Sequence, residues 1–151
     1  MPEAVLKYGA IVNGKWADEG KWCSLLRVPL PLSSTWMNSG VVPQTPVQHI
    51  YCNKDMQEPL LVALTNIISR GLVSELRSFD GCYQIRCVRG RDALSWHSYG
   101  LAIDLDASDN QMGTTGDLSS GFVKCFIDAG FQWGGSFKSR TDPMHFQFGL
   151  D

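Results

Sequence analysis

Apolar residues recur at helical spacing over two stretches of the chain. From Asn53 to Arg70, the positions Leu60, Leu61, Leu64, Ile67 and Ile68 predict an amphipathic helix with those side chains on the core. Asn53 is a suitable N-cap, and Asp55 suits the positive helix end. Arg70 in the last turn and Gly71 after it supply a stop. Pro59 lies early in the span, so the regular helix is expected to begin nearer Glu58. The second stripe, Phe122, Phe126 and Ala129, predicts a helix over 118–129 closed by Gly130.

Strict alternation marks the strands. Over Cys82–Val88, Tyr83, Ile85 and Cys87 share one face while Gln84 and Arg86 share the other. Over Gly100–Asp106, Leu101, Ile103 and Leu105 oppose Ala102, Asp104 and Asp106. Phe131–Trp133 and His145–Phe148 are the last strands, with His145 and Gln147 turned away from Phe146 and Phe148. Near the N-terminus, Val5–Val12 and Lys15–Ala17 flank Asn13-Gly14, a strong hairpin signal. Val28–Pro46 is rich in proline, serine and threonine and reads as an irregular segment packed on the body of the protein. The expected fold is α+β, an antiparallel sheet with helices packed on one face. It forms one domain over 1–151, in which the hairpin and irregular segment of 1–50 pack on a core of 53–151.

Composition narrows the class. A chain of 151 residues that is 44% hydrophobic and 19% charged buries an ordered core without staples. Its net charge of −2 argues against a nucleic-acid partner. No apolar run is long enough to span a bilayer, so no membrane insertion is expected. The first residues lack the basic start and apolar core of a secretory signal. Five cysteines without a C-x-x-C pair suit a reducing compartment and buried, unpaired thiols.

The candidate chemistry gathers on two stretches, Ser95–Asp104 and Thr141–Phe146, which hold two of the chain's three histidines. Two imidazoles and a carboxylate around an open position form a common catalytic zinc arrangement. His97, Asp104 and His145 are therefore the candidate ligands. Spacing alone does not separate them from loop or core residues, although a carboxylate among Ala102, Ile103 and Leu105 needs a partner. Asp142, three residues before His145, is the candidate acid–base group; an Asp before Pro143 also suits a plain turn. Arg86, kept off the apolar face by strand alternation, is the arginine best placed to steady a substrate carboxylate or a developing oxyanion. Arg89 is its competitor, and Arg91 reads as solvated. Asp104-x-Asp106-x-Ser108 starts like a calcium loop, but Asp109 stands where Gly is required and Thr115 where Glu closes the loop. His49 reads as structural, and Trp133-Gly-Gly135 as core packing followed by a tight turn.

Taken together, Ser95-x-His97-x-x-Gly100-x-Ala102-x-Asp104, Gly130-Phe-x-Trp133-Gly-Gly and Asp142-Pro-Met-His145-Phe resemble a family of zinc peptidases. These are the D-alanyl-D-alanine carboxypeptidases and L-alanyl-D-glutamate peptidases, which share a fold with the hedgehog signalling domain. The likeness runs from about Asn53 to the end and is nearest the compact phage enzymes that cut bacterial cell-wall stem peptides. It implies zinc on His97, Asp104 and His145, with Asp142 as general base and acid. It also implies Arg86 beside the scissile carbonyl and Ser95 in contact with substrate. Where family members often carry Glu-x-x-His, this chain has Asp142-x-x-His145, as in the phage endopeptidase type. Residues 1–50 match nothing in the family.

The function so implied is a zinc-dependent peptidoglycan peptidase, an endolysin or virion-associated lysin acting as a monomer on the stem peptide. It would be held in the bacterial host cytoplasm before release to the wall, or carried in a phage virion. Three rivals remain open at the level of sequence. They are a D-alanyl-D-alanine carboxypeptidase of wall remodelling, a non-catalytic hedgehog-like binding domain that keeps its metal for structure, and a phage tail structural protein.

Overall fold

The side chain of Asn53 accepts the amide of Asp55 at 3.0 Å and opens the longest helix of the protein. The computed structural model describes residues 2–32 and 46–149. Helix α3 in chain order runs Lys54–Ser69, after α1 (Pro2–Tyr8) and the single turn α2 (Glu19–Trp22); α4 is Ser120–Ile127. α3 begins at Lys54 rather than near Glu58. The Asn53 cap fixes its first turn, and Pro59 deletes only the hydrogen bond back to residue 55. Its buried stripe is Met56, Leu60, Ala63, Leu64 and Ile67. Leu61 is partly buried and Ile68 is exposed, so the stripe is rotated from the expected one. α4 is capped by Ser119 and buries Phe122 and Phe126 as expected, with Ala129 packed beside them.

Three antiparallel sheets, rather than one, are formed among the described residues. β1 (Ile11–Val12) and β2 (Lys15–Trp16) form the expected hairpin, with Asn13 at φ 50° and Gly14 at φ 68°. Val5–Tyr8, expected as part of its first strand, belong to the helix Pro2–Tyr8 instead. Ala4 and Tyr8, one helical turn apart, are buried, while Val5 and Leu6 are exposed. β3 (Cys23–Leu32) pairs with β4 (Val47–Asn53), so Val28–Leu32 is strand where an irregular segment was expected. Pro29 and Pro31 fall where the register shifts between Arg27 and Leu32, a place where a missing amide donor is tolerated. The remainder of that expected segment, 33–45, lies outside the described residues.

The third sheet positions the site. Its strand order is β5 (Phe79–Gly81), β6 (Ala102–Leu105), β8 (His145–Gln147), β7 (Gln132–Trp133). Ile103 of β6 lies opposite Phe146 of β8, and Asp104 opposite His145. Phe146 stacks on Phe126 of α4 with ring centroids 4.2 Å apart, so one face of β8 is core and the other is free for chemistry. The expected strand over 82–88 joins none of the three sheets and makes only an isolated antiparallel bridge, Cys87 to Leu94. Its backbone folds onto 93–97 instead, through Val88 N–H to Ala93 O, Ser95 N–H to Arg86 O and Gln84 N–H to His97 O. The architecture, mixed α and β with small antiparallel sheets and four α-helices among the described residues, is compatible with the α+β class. No helix among the described residues is long and apolar enough to cross a membrane.

All five cysteines are free, and only Cys87 is exposed. Burial pushes the Cys23 thiol up to about 12, so it stays an inert small hydrophobe.

Candidate metal centre

His97 sits in a 3-10 turn, Trp96–Tyr99, opened by Ser95, whose Oγ accepts the His97 amide, and closed by Gly100 at φ 66°. Glycine is required there twice over. The φ is left-handed, and a Cβ would lie 2.9 Å from the Asn53 amide nitrogen. That close approach lets the Gly100 carbonyl accept the Asn53 amide at 3.0 Å, tying the histidine turn to the cap of α3. The N-terminal segment supports the same turn: Tyr99 donates to Gly9 O, and the rings of Tyr8 and Trp16 flank it.

His97 Nε2, His145 Nδ1 and Asp104 Oδ1 meet in a triangle with sides of 3.1, 3.1 and 3.2 Å. All three residues are buried. A tetrahedral site with metal–ligand bonds of about 2.0 Å has edges of roughly 3.3 Å, so the triangle is one face of such a site. The outer nitrogens settle the tautomers. His97 Nδ1 donates to Cys82 O at 2.6 Å, and His145 Nε2 donates to Gln147 Oε1 at 3.0 Å. Both inner nitrogens therefore present lone pairs to each other and to a carboxylate, an arrangement that only a shared proton or a cation makes favourable. Burial works against an ionised Asp104, but the two imidazoles outweigh it and hold its carboxyl far below the usual carboxylate range. Burial likewise opposes a charged His145, and Asp104 overrides it to push the imidazole up. The site is built to hold positive charge. Its donor set, two nitrogens and one carboxylate oxygen, fits zinc.

The other expected residues gather at the same place. Asp142 stands at the turn into β8, where His145 N–H donates to its carbonyl and its own amide donates to Gly134 O at 2.8 Å. A Cβ on Gly134 would lie 2.4 Å from the Asp142 carbonyl oxygen, so glycine permits that approach. Asp142 Oδ1 is buried with no hydrogen-bond partner among the described residues. The turn thus uses the backbone of Asp142 and leaves its carboxylate unspent. Burial, aided by Asp104, pushes this carboxyl up despite His145, His97 and Arg86. Arg86 reaches Asp104 Oδ2 at 3.3 Å, on the oxygen not turned to the histidines. Ser95 caps the His97 turn and also lines the cavity beside the site. That cavity, about 540 Å³, is bounded by Arg86, Arg89, Ser95, Trp96, Asp142 and His145 among others. His49 is exposed on β4, away from the cluster. Trp133 packs against the core and donates to Pro143 O at 2.8 Å, holding the Asp142 turn in place.

Two contributors escaped sequence reasoning. Gln147, which Gln132 accepts from in turn at 3.1 Å, orients His145; its position two residues along the same strand face was the available signal. The Cys82 carbonyl orients His97, and a backbone atom leaves no trace in residue type. The rejected calcium loop is explained as well. Asp106, Asp109 and Asp117 surround Arg77, which bonds all three at 2.7–3.3 Å.

Residues 89–148 match the sequence profile of a family described as D-alanyl-D-alanine carboxypeptidase. The matched stretch is less than half of the chain, contains all three candidate ligands and Asp142, and begins after Arg86. It supports a peptidase of that family. No curated protein and no solved structure matches the chain.

Proposed function

We propose that this protein is a zinc-dependent peptidase of the bacterial cell wall, hydrolysing an amide bond of the peptidoglycan stem peptide. The observation that carries the reading is the triangle of inward lone pairs on His97, His145 and Asp104, opening beside the unspent carboxylate of Asp142. Zinc bound there would act as a Lewis acid on the scissile carbonyl and acidify a water. Asp142, its carboxyl raised by burial, takes the proton from the attacking water and returns it to the departing amine. Arg86 lines the cavity and offers its remaining donors to the carbonyl oxygen as charge develops. Gln147 and the Cys82 carbonyl keep each imidazole in the tautomer that leaves its inner nitrogen unprotonated.

The role we assign is that of an endolysin or virion-associated lysin, held in the bacterial host cytoplasm until release or carried in a virion, acting as a monomer. The description of the matched family favours a second reading, removal of a terminal D-alanine. Metal analysis of the purified protein, followed by digestion of purified wall and sequencing of the new termini, tests both. One zinc per chain and chelator-sensitive release of internal peptide ends are expected. Release of D-alanine alone would replace the endopeptidase by the carboxypeptidase, and metal-independent clearing would overturn the zinc assignment.

A further inference from the structure

The turn that carries His97 holds a second serine whose hydroxyl is spent elsewhere. Ser98 is fully buried. The Arg86 amide donates to Ser98 Oγ at 3.0 Å, and the Ser98 hydroxyl donates to the Arg86 carbonyl at 2.9 Å. Both functions of the hydroxyl, acceptor and donor, are thus committed to one residue twelve positions earlier. Ser95, by contrast, spends its hydroxyl inside the turn, on the His97 amide. The turn also has bonds of its own, from the Ser98 amide to Ser95 O at 2.9 Å and from the Gly100 amide to His97 O at 3.0 Å. Its shape does not depend on the Ser98 side chain.

The position of Arg86 does. The 82–88 segment joins none of the sheets, so no strand register fixes where residue 86 stands. The Arg86 side chain is 35% exposed, and its ion pair with Asp104 is a single contact at 3.3 Å. With so light a hold on the guanidinium, its place over the cavity follows from where the backbone starts it. The buried Ser98 hydroxyl closes on both polar groups of that starting point. One short turn therefore carries a metal ligand and also roots the arginine assigned to the carbonyl oxygen.

Resting on the peptidase reading above, we propose that Ser98 is a positioning residue for hydrolysis, acting through Arg86 and not through the metal. A donor aimed at developing charge has to be held within about 0.5 Å of its productive place, and a misplacement of about 1 Å can cost about 10²-fold in rate. Loss of the hydroxyl leaves the metal ligands in place and frees the root of Arg86.

The test is a double-mutant cycle on the full chain loaded with zinc, with a soluble stem peptide that the unaltered protein cleaves. Ser98→Ala should keep one zinc per chain and lower kcat about 10–100-fold, with KM nearly unchanged because the lost interaction belongs to the transition state. Arg86→Ala should lower kcat about 10²–10³-fold. Adding Ser98→Ala to Arg86→Ala should cost less than about twofold more, since the group it positions is already gone. Full kcat in Ser98→Ala would overturn the assignment, and so would an equal cost with and without Arg86. Loss of zinc or of folding in Ser98→Ala would put the hydroxyl to work on the metal turn and overturn it too. Each of these results leaves the peptidase standing. Arg86→Ala at the unaltered rate would remove the role of Arg86, and that of Ser98 with it. Cleavage of no stem peptide by the unaltered, zinc-loaded protein would overturn the peptidase reading itself.

Discussion

Two carboxylates two residues apart, Asp104 and Asp106, have opposite fates. Asp106 is fully buried at the end of β6 and satisfied from within: the amides of Arg77 and Ser78 each donate to it at 2.8 Å, and Arg77 Nε approaches at 3.3 Å. Burial still pushes its carboxyl up. Arg77 finds its strongest partner in Asp117, which raises the guanidinium further above its already high range. That acidic cluster supplies its own cation. Asp104 is met by Arg86 on Oδ2, but its Oδ1 faces the inner nitrogens of two imidazoles, so the place between those three atoms is filled only by a proton or a cation from outside. A count of acids therefore says little about metal binding. What matters is whether the fold has placed a guanidinium in the ion's own place, as Arg77 stands among three carboxylates, or to one side of it, as Arg86 stands on the far oxygen of Asp104.

The sharpest way to break the comparison is to remove a ligand. His97→Ala or His145→Ala should abolish stoichiometric zinc binding, measured by metal analysis, and wall hydrolysis with it. The proton competes for the same place. Because His145 is pushed up, zinc affinity in a titration should fall as pH drops through that raised value, above the point where an ordinary imidazole would begin to compete.

Asp142→Ala separates binding from chemistry. Zinc content should be unchanged while wall hydrolysis falls by about 10²–10⁴-fold, the usual worth of a positioned acid–base group. Full hydrolysis in that variant would refute the assigned role.

Gln147→Leu removes the acceptor that fixes the His145 tautomer, and competition with a chelator should show zinc affinity reduced about 10–100-fold. Gln147→Glu, which keeps an acceptor at that place, should recover most of it.

The smallest effect concerns the other cluster. Arg77→Ala should lower stability by about 1–3 kcal/mol in denaturant unfolding, since Asp106 keeps its two amide donors and Arg77 is partly exposed. Zinc stoichiometry should stay at one. A second bound metal would show that the Asp106 cluster was a latent ion site held closed by arginine.

Periodicity made the frame of the protein legible. α3 and α4, the Asn13-Gly14 hairpin and the 102–105 and 145–147 strands follow from apolar spacing, caps and alternation, which are local. The same local reading misjudged Val5–Tyr8, because the Asn13-Gly14 turn signal does not fix how far its first arm extends, and Ala4 and Tyr8 pack one helical turn apart. It misjudged 82–88 because an alternating segment can spend its backbone on the neighbouring 93–97 stretch, here through a single bridge, without joining a sheet. It also read the strand at Val28–Leu32 as irregular, since proline composition does not reveal which positions of an edge tolerate a missing donor.

For the site, residue types and their order named His97, Asp104, Asp142 and His145, because the chain has only three histidines and two of them stand within seven residues of a carboxylate in the motifs that carry the family resemblance. The sequence by itself thus determined which groups are available and on which strand face Asp104 and His145 lie. Only the tertiary structure decided that three of their atoms meet within 3.2 Å, and which nitrogen of each imidazole faces inward. Those outcomes depend on the β6–β8 register, on the Gly100 contact with Asn53, and on Gln147 and a backbone carbonyl as hydrogen-bond partners. Each is a relation between residues far apart in the chain. Spacing encodes local conformation directly, but it encodes such a meeting only through the packing of the whole.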